Sequence, residues 1–120
     1  MAERRLDNVV VLGGDVHANY VADLKLDFDD PRSPAVATEF CGTSISSEGL
    51  PQSRLDGLLR DNPHLHHARS DQRGYVHFAL DGERLRARLR VVDDPLDPAS
   101  GVRTAARFVV AAGRAGAEAD

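Results

Sequence analysis

The chain has 120 residues, enough for one domain whose core could bury roughly two-thirds of the unfolded surface. A net charge of -4 argues against nucleic acid as the main partner, since phosphate backbones call for a basic surface, but it leaves room for small phosphorylated substrates whose charge a metal ion would balance. Cys41 is the one cysteine, which excludes an internal disulfide and a cysteine-based zinc cluster, and no apolar run approaches the ~20 residues of a membrane span.

Val9 to Leu12 is a continuous apolar run that stops at Gly13-Gly14, the pattern of a strand buried on both faces; such a strand needs layers above and below it, so either the chain folds back over it or the covering layers are missing. It is too short for the apolar core of a signal peptide, and Arg4-Arg5 is only a weak echo of a twin-arginine signal. Taken as written, the chain is not self-exporting and would be cytoplasmic. Tyr20 to Phe28 alternates, with Leu24, Leu26 and Phe28 on one face and Asp23, Lys25 and Asp27 on the other, as in a half-buried strand. A two-proline turn, Asp29 to Pro34, leads to a third strand over Ala35 to Phe40 and then to the polar loop Gly42 to Gly49.

Gln52 to Arg60 is the one clear helix, with Leu55, Leu58 and Leu59 on one face, Pro51 near its start and Asn62-Pro63 at its end. Asp81-Gly82 between two alternating runs, Tyr75 to Leu80 and Glu83 to Val92, predicts a hairpin. In its second strand Leu85, Ala87, Leu89 and Val91 face inward and Arg84, Arg86, Arg88 and Arg90 outward. Arg103 to Val110 is the last strand. The reading is a mixed α/β chain with few helices in the order β-β-β-α-β-β-β, one domain over residues 1–112, and a flexible Ala/Gly-rich tail over 113–120.

The sharpest local feature is Gly13-Gly14-Asp15-Val16-His17-Ala18-Asn19-Tyr20, directly after the first strand, where α/β sheets place their sites. The glycines permit a sharp turn and a close approach to a ligand. Asp15 and His17, two apart, would point to one side of an extended backbone, and a carboxylate with an imidazole suits a metal that polarises a phosphoryl oxygen or acidifies a bound water. The bland alternative is a turn with a solvated Asp and a surface His, and Asp-x-His is not specific by itself. His64, His66 and His67 form a second cluster that could bind a metal, but with no cysteine pair to join them it is read as an exposed or half-buried edge segment after the helix. The arginine stripe reads as a solvated strand face that blunts edge pairing. Gly42 to Ser47 reads as a structural loop lining a pocket, because nothing fixes a base for a serine nucleophile.

Taken in order, Asn8 to His17, Asp23-Leu24-Lys25, Asp27 to Pro31, Thr38-Glu39-Phe40, Gly42 to Ser47, Asn62-Pro63-His64 and Arg73 to Val76 resemble the C-terminal part of PhoD-like alkaline phosphatases. The resemblance implies part of a metallophosphoesterase-type sandwich, in which two packed sheets are flanked by helices, and a secreted phosphoesterase with iron and calcium at its centre. It assigns Asp15 and His17 to the metal and brings Asn19 in as a pocket residue. The family's other ligands, a cysteine among them, lie on earlier strands absent here, and Cys41 does not stand in for that cysteine. The expected substrate is a phosphate ester, with a separate N-terminal half or self-association completing the site. The competing expectations are a non-catalytic remnant or complementing subunit of a split phosphatase, and a β-rich interaction module using Arg86 and Arg88.

Overall fold

A computed structural model describes residues 3–120; Met1 and Ala2, the first residues of the expected domain, lie outside the described residues. The chain runs β1 (Val10–Gly13), β2 (Asn19–Lys25), β3 (Ala35–Cys41), α1 (Gln52–Asp61), β4 (Leu65–Arg69), β5 (Arg73–Leu80), β6 (Arg84–Val92), β7 (Val102–Ala111) and β8 (Glu118–Ala119). The strands make two four-stranded sheets, ordered β1-β3-β2-β4 and β5-β6-β7-β8. The mixed α/β class with a single helix agrees with the sequence reading.

The first sheet is mixed. β1 runs parallel to β3, while β2 pairs antiparallel with both β3 and β4. The second is an antiparallel meander whose first hairpin closes at Leu80 and Leu85. The Asp81 carboxylate accepts the Glu83 and Arg84 amides at 2.7 and 2.9 Å and so fixes that turn from its own side chain. Gly74, near the start of β5, is demanded by close approach: a Cβ there would lie 1.9 Å from the Arg90 carbonyl oxygen.

The two sheets pack face to face. Val21 and Phe40 of the first meet Ala87, Leu89, Phe108, Val110 and Ala117 of the second, and Phe40 lies edge-on to Phe78 with ring centroids 5.4 Å apart. The opposite face of the first sheet takes the helix, where Leu55 is wholly buried against Ala18 and Ala68 and flanked by Tyr20 and Leu59. Leu58, expected on the same apolar face, is 43 % exposed, so the buried stripe is narrower than the spacing suggested. Gln52 ties the helix to the end of β4: its amide oxygen accepts the Ser70 amide at 2.8 Å and its nitrogen donates to the Ala68 carbonyl at 3.1 Å.

Four expectations need correction. β1 is not buried on both faces: Val11 on one face is 37 % and Leu12 on the other 63 % exposed, the outcome expected where covering layers are missing, and it is an edge strand with β3 as its one strand partner among the described residues. Leu26 and Phe28 fall beyond β2 and are exposed; the strand ends after a bulge at Leu24 and Lys25, and side chain–backbone turns at Asp27 and Ser33 redirect the chain. Leu65–Arg69 lies at a sheet edge as read, but it is a strand that the expected order omits: β4, whose pairing with β2 shifts register around His66. The segment after Gly113, read as a flexible tail, buries Ala117 to 4 % and adds β8 to the second sheet, because the Ala117 amide donates to Asp23 at 2.9 Å.

No helix among the described residues is long and apolar enough to cross a membrane. The arginine face of β6 lies outward as expected. Arg86 and Arg88 are exposed, Arg88 approaches His77, and Arg90 donates to Thr104 at 2.7 Å.

Candidate metal centre

Asp15 and His17 sit on the loop between β1 and β2. Both adopt left-handed backbone conformations, with φ of 75° and 55°. Such conformations cost non-glycine residues about 1–2 kcal/mol each and gather at functional sites. The segment is therefore a pair of tight bends and not the extended stretch that the two-residue spacing suggested. Both residues nonetheless line one cleft of about 530 Å³, together with Gly13, Gly14, Thr43 and Ser44.

His17 is held at both ends. Its Nδ1 lies 2.9 Å from the Glu48 carbonyl oxygen. A carbonyl can only accept, so Nδ1 carries a proton, and in the neutral ring Nε2 keeps its lone pair. Metal-binding histidines are commonly prepared in this way, one ring nitrogen donating to a carbonyl so that the other is oriented as a ligand. The backbone carbonyl of His17 packs against Gly49, where a Cβ would come within 2.4 Å of it, and accepts from the Arg73 guanidinium at 3.3 Å.

Asn19 is wholly buried and does not line the cleft, which corrects its expected place in the pocket. Its Oδ1 accepts the Thr43 amide at 2.9 Å, so it anchors the loop that forms the opposite wall, while its Nδ2 lacks a partner among the described residues. The same loop is pinned by the Thr43 hydroxyl donating to the Gln72 carbonyl at 2.9 Å and by the Gly42 amide donating to Gly13 at 3.0 Å. Cys41 is buried, and its thiol faces the Gly14 carbonyl at 3.8 Å. Burial, helped by the charge of Glu39, pushes that thiol up from its ordinary pKa, which leaves it a packing residue.

Arg73 escaped the sequence reading. It is 6 % exposed, and its guanidinium donates to the Ser44 hydroxyl and to the carbonyls of Ser47, Ser70 and His17. A lone arginine at a strand start carries no pattern, and its acceptors come from three separate loops. The one signal was its place in the Arg73-Gly74-Tyr75-Val76 block.

The histidine cluster disperses. His64 packs edge-on to Phe28 at 4.8 Å, His66 pairs with Asp23 at 2.9 Å, and His67 faces Phe108. The hydrogen bond to Asp23 raises His66, against a smaller lowering by burial. Burial and then the charge of Arg69 lower His67. At Asp23 burial acts upward, but hydrogen bonds from His66 and the Ala117 amide, with the charge of His66, bring the carboxyl below its ordinary value.

A carboxylate and an imidazole with a free, oriented Nε2 fit a metal as part of its ligand set. They do not complete one, for among the described residues no group of three or more His, Cys, Asp or Glu is gathered to hold a metal.

The family model for PhoD-like phosphatase matches residues 1–89. The chain belongs to the PhoD-like phosphatase family. It is 38 % identical over 109 residues to alkaline phosphatase D of Bacillus subtilis (strain 168), a match covering 88 % of this chain and 18 % of that protein. A solved structure described as the structure of PhoD matches with a TM-score of 0.83 at 29 % identity, over 98 % of this chain and 23 % of the other. The chain thus spans about a fifth of the length of the PhoD relatives it matches.

Proposed function

We propose that this PhoD-like chain contributes one block of a metal-dependent phosphoesterase centre, in which Asp15 and His17 are metal ligands. The observation that carries the reading is the hydrogen bond from His17 Nδ1 to the Glu48 carbonyl, which leaves the Nε2 lone pair of the neutral ring for a metal, on a residue that lines the same cleft as Asp15. Bound there, a metal would polarise a phosphoryl oxygen and acidify a water molecule. The resemblance to the family implies iron and calcium, and a phosphate monoester or diester as substrate. The chain's own residues hold the imidazole and the cleft wall still: Asn19 and Gln72 fix the Thr43 wall, and Glu48 and Gly49 fix His17.

Two ligands leave most of a metal's coordination sphere to water, so a complete site needs further ligands, from a longer chain, a separate N-terminal half or a second copy. The open edge of β1 supports this. Beside it lies an apolar groove of about 570 Å³ lined by Val10, Leu12, Phe78, Leu80 and Leu85, a surface suited to further protein in a longer chain or a complementing one.

A cobalt(II) titration of the isotopically labelled chain tests the ligand assignment. Paramagnetic broadening and shifts centred on Asp15 and His17, abolished by His17→Ala, are expected. Broadening centred on His66 or His77, with the Gly13–Asn19 loop unaffected, would refute it.

A further inference from the structure

We propose that Arg73 is a positioning residue for His17: its guanidinium is a four-way clamp that joins the loop bearing Asp15 and His17, the Thr43–Gly49 wall and the β4–β5 connection into one rigid cradle. The inference rests on the reading of His17 as a ligand, and it goes beyond that reading by assigning the group that sets the ring's orientation.

Arg73 donates to the His17, Ser47 and Ser70 carbonyls and to the Ser44 hydroxyl. These acceptors belong to three loops that meet at no other single side chain among the described residues. Among the described residues no carboxylate lies within ion-pair distance of Arg73. Asp71, which senses its charge, is already engaged by Arg69 through two hydrogen bonds of 2.8 and 2.7 Å. A nearly buried cation satisfied by neutral oxygens is a costly arrangement where packing is its only use, because its desolvation is not offset by an opposite charge. It is well suited to holding backbone carbonyls, since a planar fork presents five donors in fixed directions.

The clamp reaches the imidazole through two links. On one side Arg73 holds the His17 carbonyl directly. On the other it holds Ser44 and Ser47, and the chain from Ser47 leads at once to Glu48, whose carbonyl accepts from His17 Nδ1, and to Gly49, which packs against the His17 backbone. Loosening Arg73 frees both the ring's partner and the backbone that carries the ring. A lysine keeps the charge but not the fork, and its single ammonium cannot span four acceptors on three loops.

The decisive experiment compares the metal-free chain with its Arg73→Lys variant by long-range 1H–15N spectra of the imidazoles. The His17 signals are identified by their loss in His17→Ala. The native chain is expected to show His17 fixed as the Nδ1–H tautomer. In Arg73→Lys that signature collapses to an averaged one, while the His66 signals, set by Asp23 four positions along β2 from Asn19, stay in place and certify the fold. Cobalt(II) affinity in the same variant falls about 10–100-fold, the usual effect of losing a ligand-orienting contact. An unchanged His17 tautomer in a folded Arg73→Lys variant overturns the clamp. Should that variant lose the His66 signature as well, the Arg73 Nη–H resonances of the unsubstituted chain decide the matter: slow exchange and hindered rotation support the clamp, and free rotation overturns it. Failure of cobalt to perturb His17 in the native chain would instead overturn the ligand assignment and leave the tautomer result standing, so the two ideas fail separately.

Discussion

Asn19→Ala tests how the cleft wall is held. Asn19 is wholly buried at the start of β2, and its side-chain oxygen is the acceptor for the Thr43 amide at 2.9 Å. Removing the oxygen deletes one hydrogen bond, worth about 1 kcal/mol net, and leaves a part-buried amide without a partner, which costs about 1–3 kcal/mol. Part is returned, because the Asn19 Nδ2 is already buried without a partner among the described residues. The net expectation is a loss of about 2 kcal/mol. With a urea slope near 2 kcal/mol/M, that lowers the unfolding midpoint by about 1 M at unchanged slope. Amide exchange at Thr43 should accelerate far more than exchange at Leu89 in the β6 core. A midpoint within experimental error of the native chain, or a Thr43 amide that keeps its protection, would show that the wall is held by Gln72 and Gly13 alone and would refute the role given to Asn19.

Gly49→Ala places a methyl group 2.4 Å from the His17 carbonyl oxygen and 3.3 Å from Ser70, and should cost about 1–3 kcal/mol by chemical denaturation while shifting the His17 amide resonance. Phe40→Ala removes the ring that joins the two sheets and should cost about 3–5 kcal/mol, enough to unfold a domain of ordinary marginal stability, as circular dichroism would register. The Asp23–His66 pair sets a pH window. His66 is raised by its bond to Asp23, so its contribution is full below the ordinary histidine pKa and is lost as pH rises through the raised value; Asp23 is lowered, so its contribution is present above the ordinary carboxyl value and is lost as pH falls through the lowered one. His67 is lowered and works in the opposite sense to His66 near neutrality. Denaturation midpoints of native chain and His66→Asn, compared from pH 5 to 9, should therefore converge as pH rises; a gap that stays constant or widens would contradict the pairing.

β5, β6 and β7 of the second sheet were plain in the chain because one face is buried and the other wet. Leu85, Ala87, Leu89 and Val91 alternate with four arginines, and period two admits no other reading. β4 was not legible, because Leu65-His66-His67-Ala68-Arg69 does not alternate and is made a strand by a bulged pairing with β2. β1 misled in the other direction: its apolar run describes a strand buried on both faces, and here β3 alone pairs with it among the described residues. β8 was hidden in a tail of small residues whose docking depends on Asp23, ninety-four positions earlier. At the proposed site, Asp15 and His17 stood out by their residue types after a strand and a glycine pair. The devices that hold them were not, since Glu48 acts through a backbone carbonyl, Gly49 through the lack of a side chain, and Arg73 through acceptors on three loops.

The most direct test of the central claim replaces the matching segment of Bacillus subtilis alkaline phosphatase D with this chain and measures iron- and calcium-supported hydrolysis of bis(p-nitrophenyl) phosphate. The account predicts an active chimera whose turnover falls at least a hundredfold, about 2.7 kcal/mol in barrier, with either Asp15→Ala or His17→Ala. An active chimera indifferent to both substitutions would contradict it, because the metal centre would then be complete without these residues.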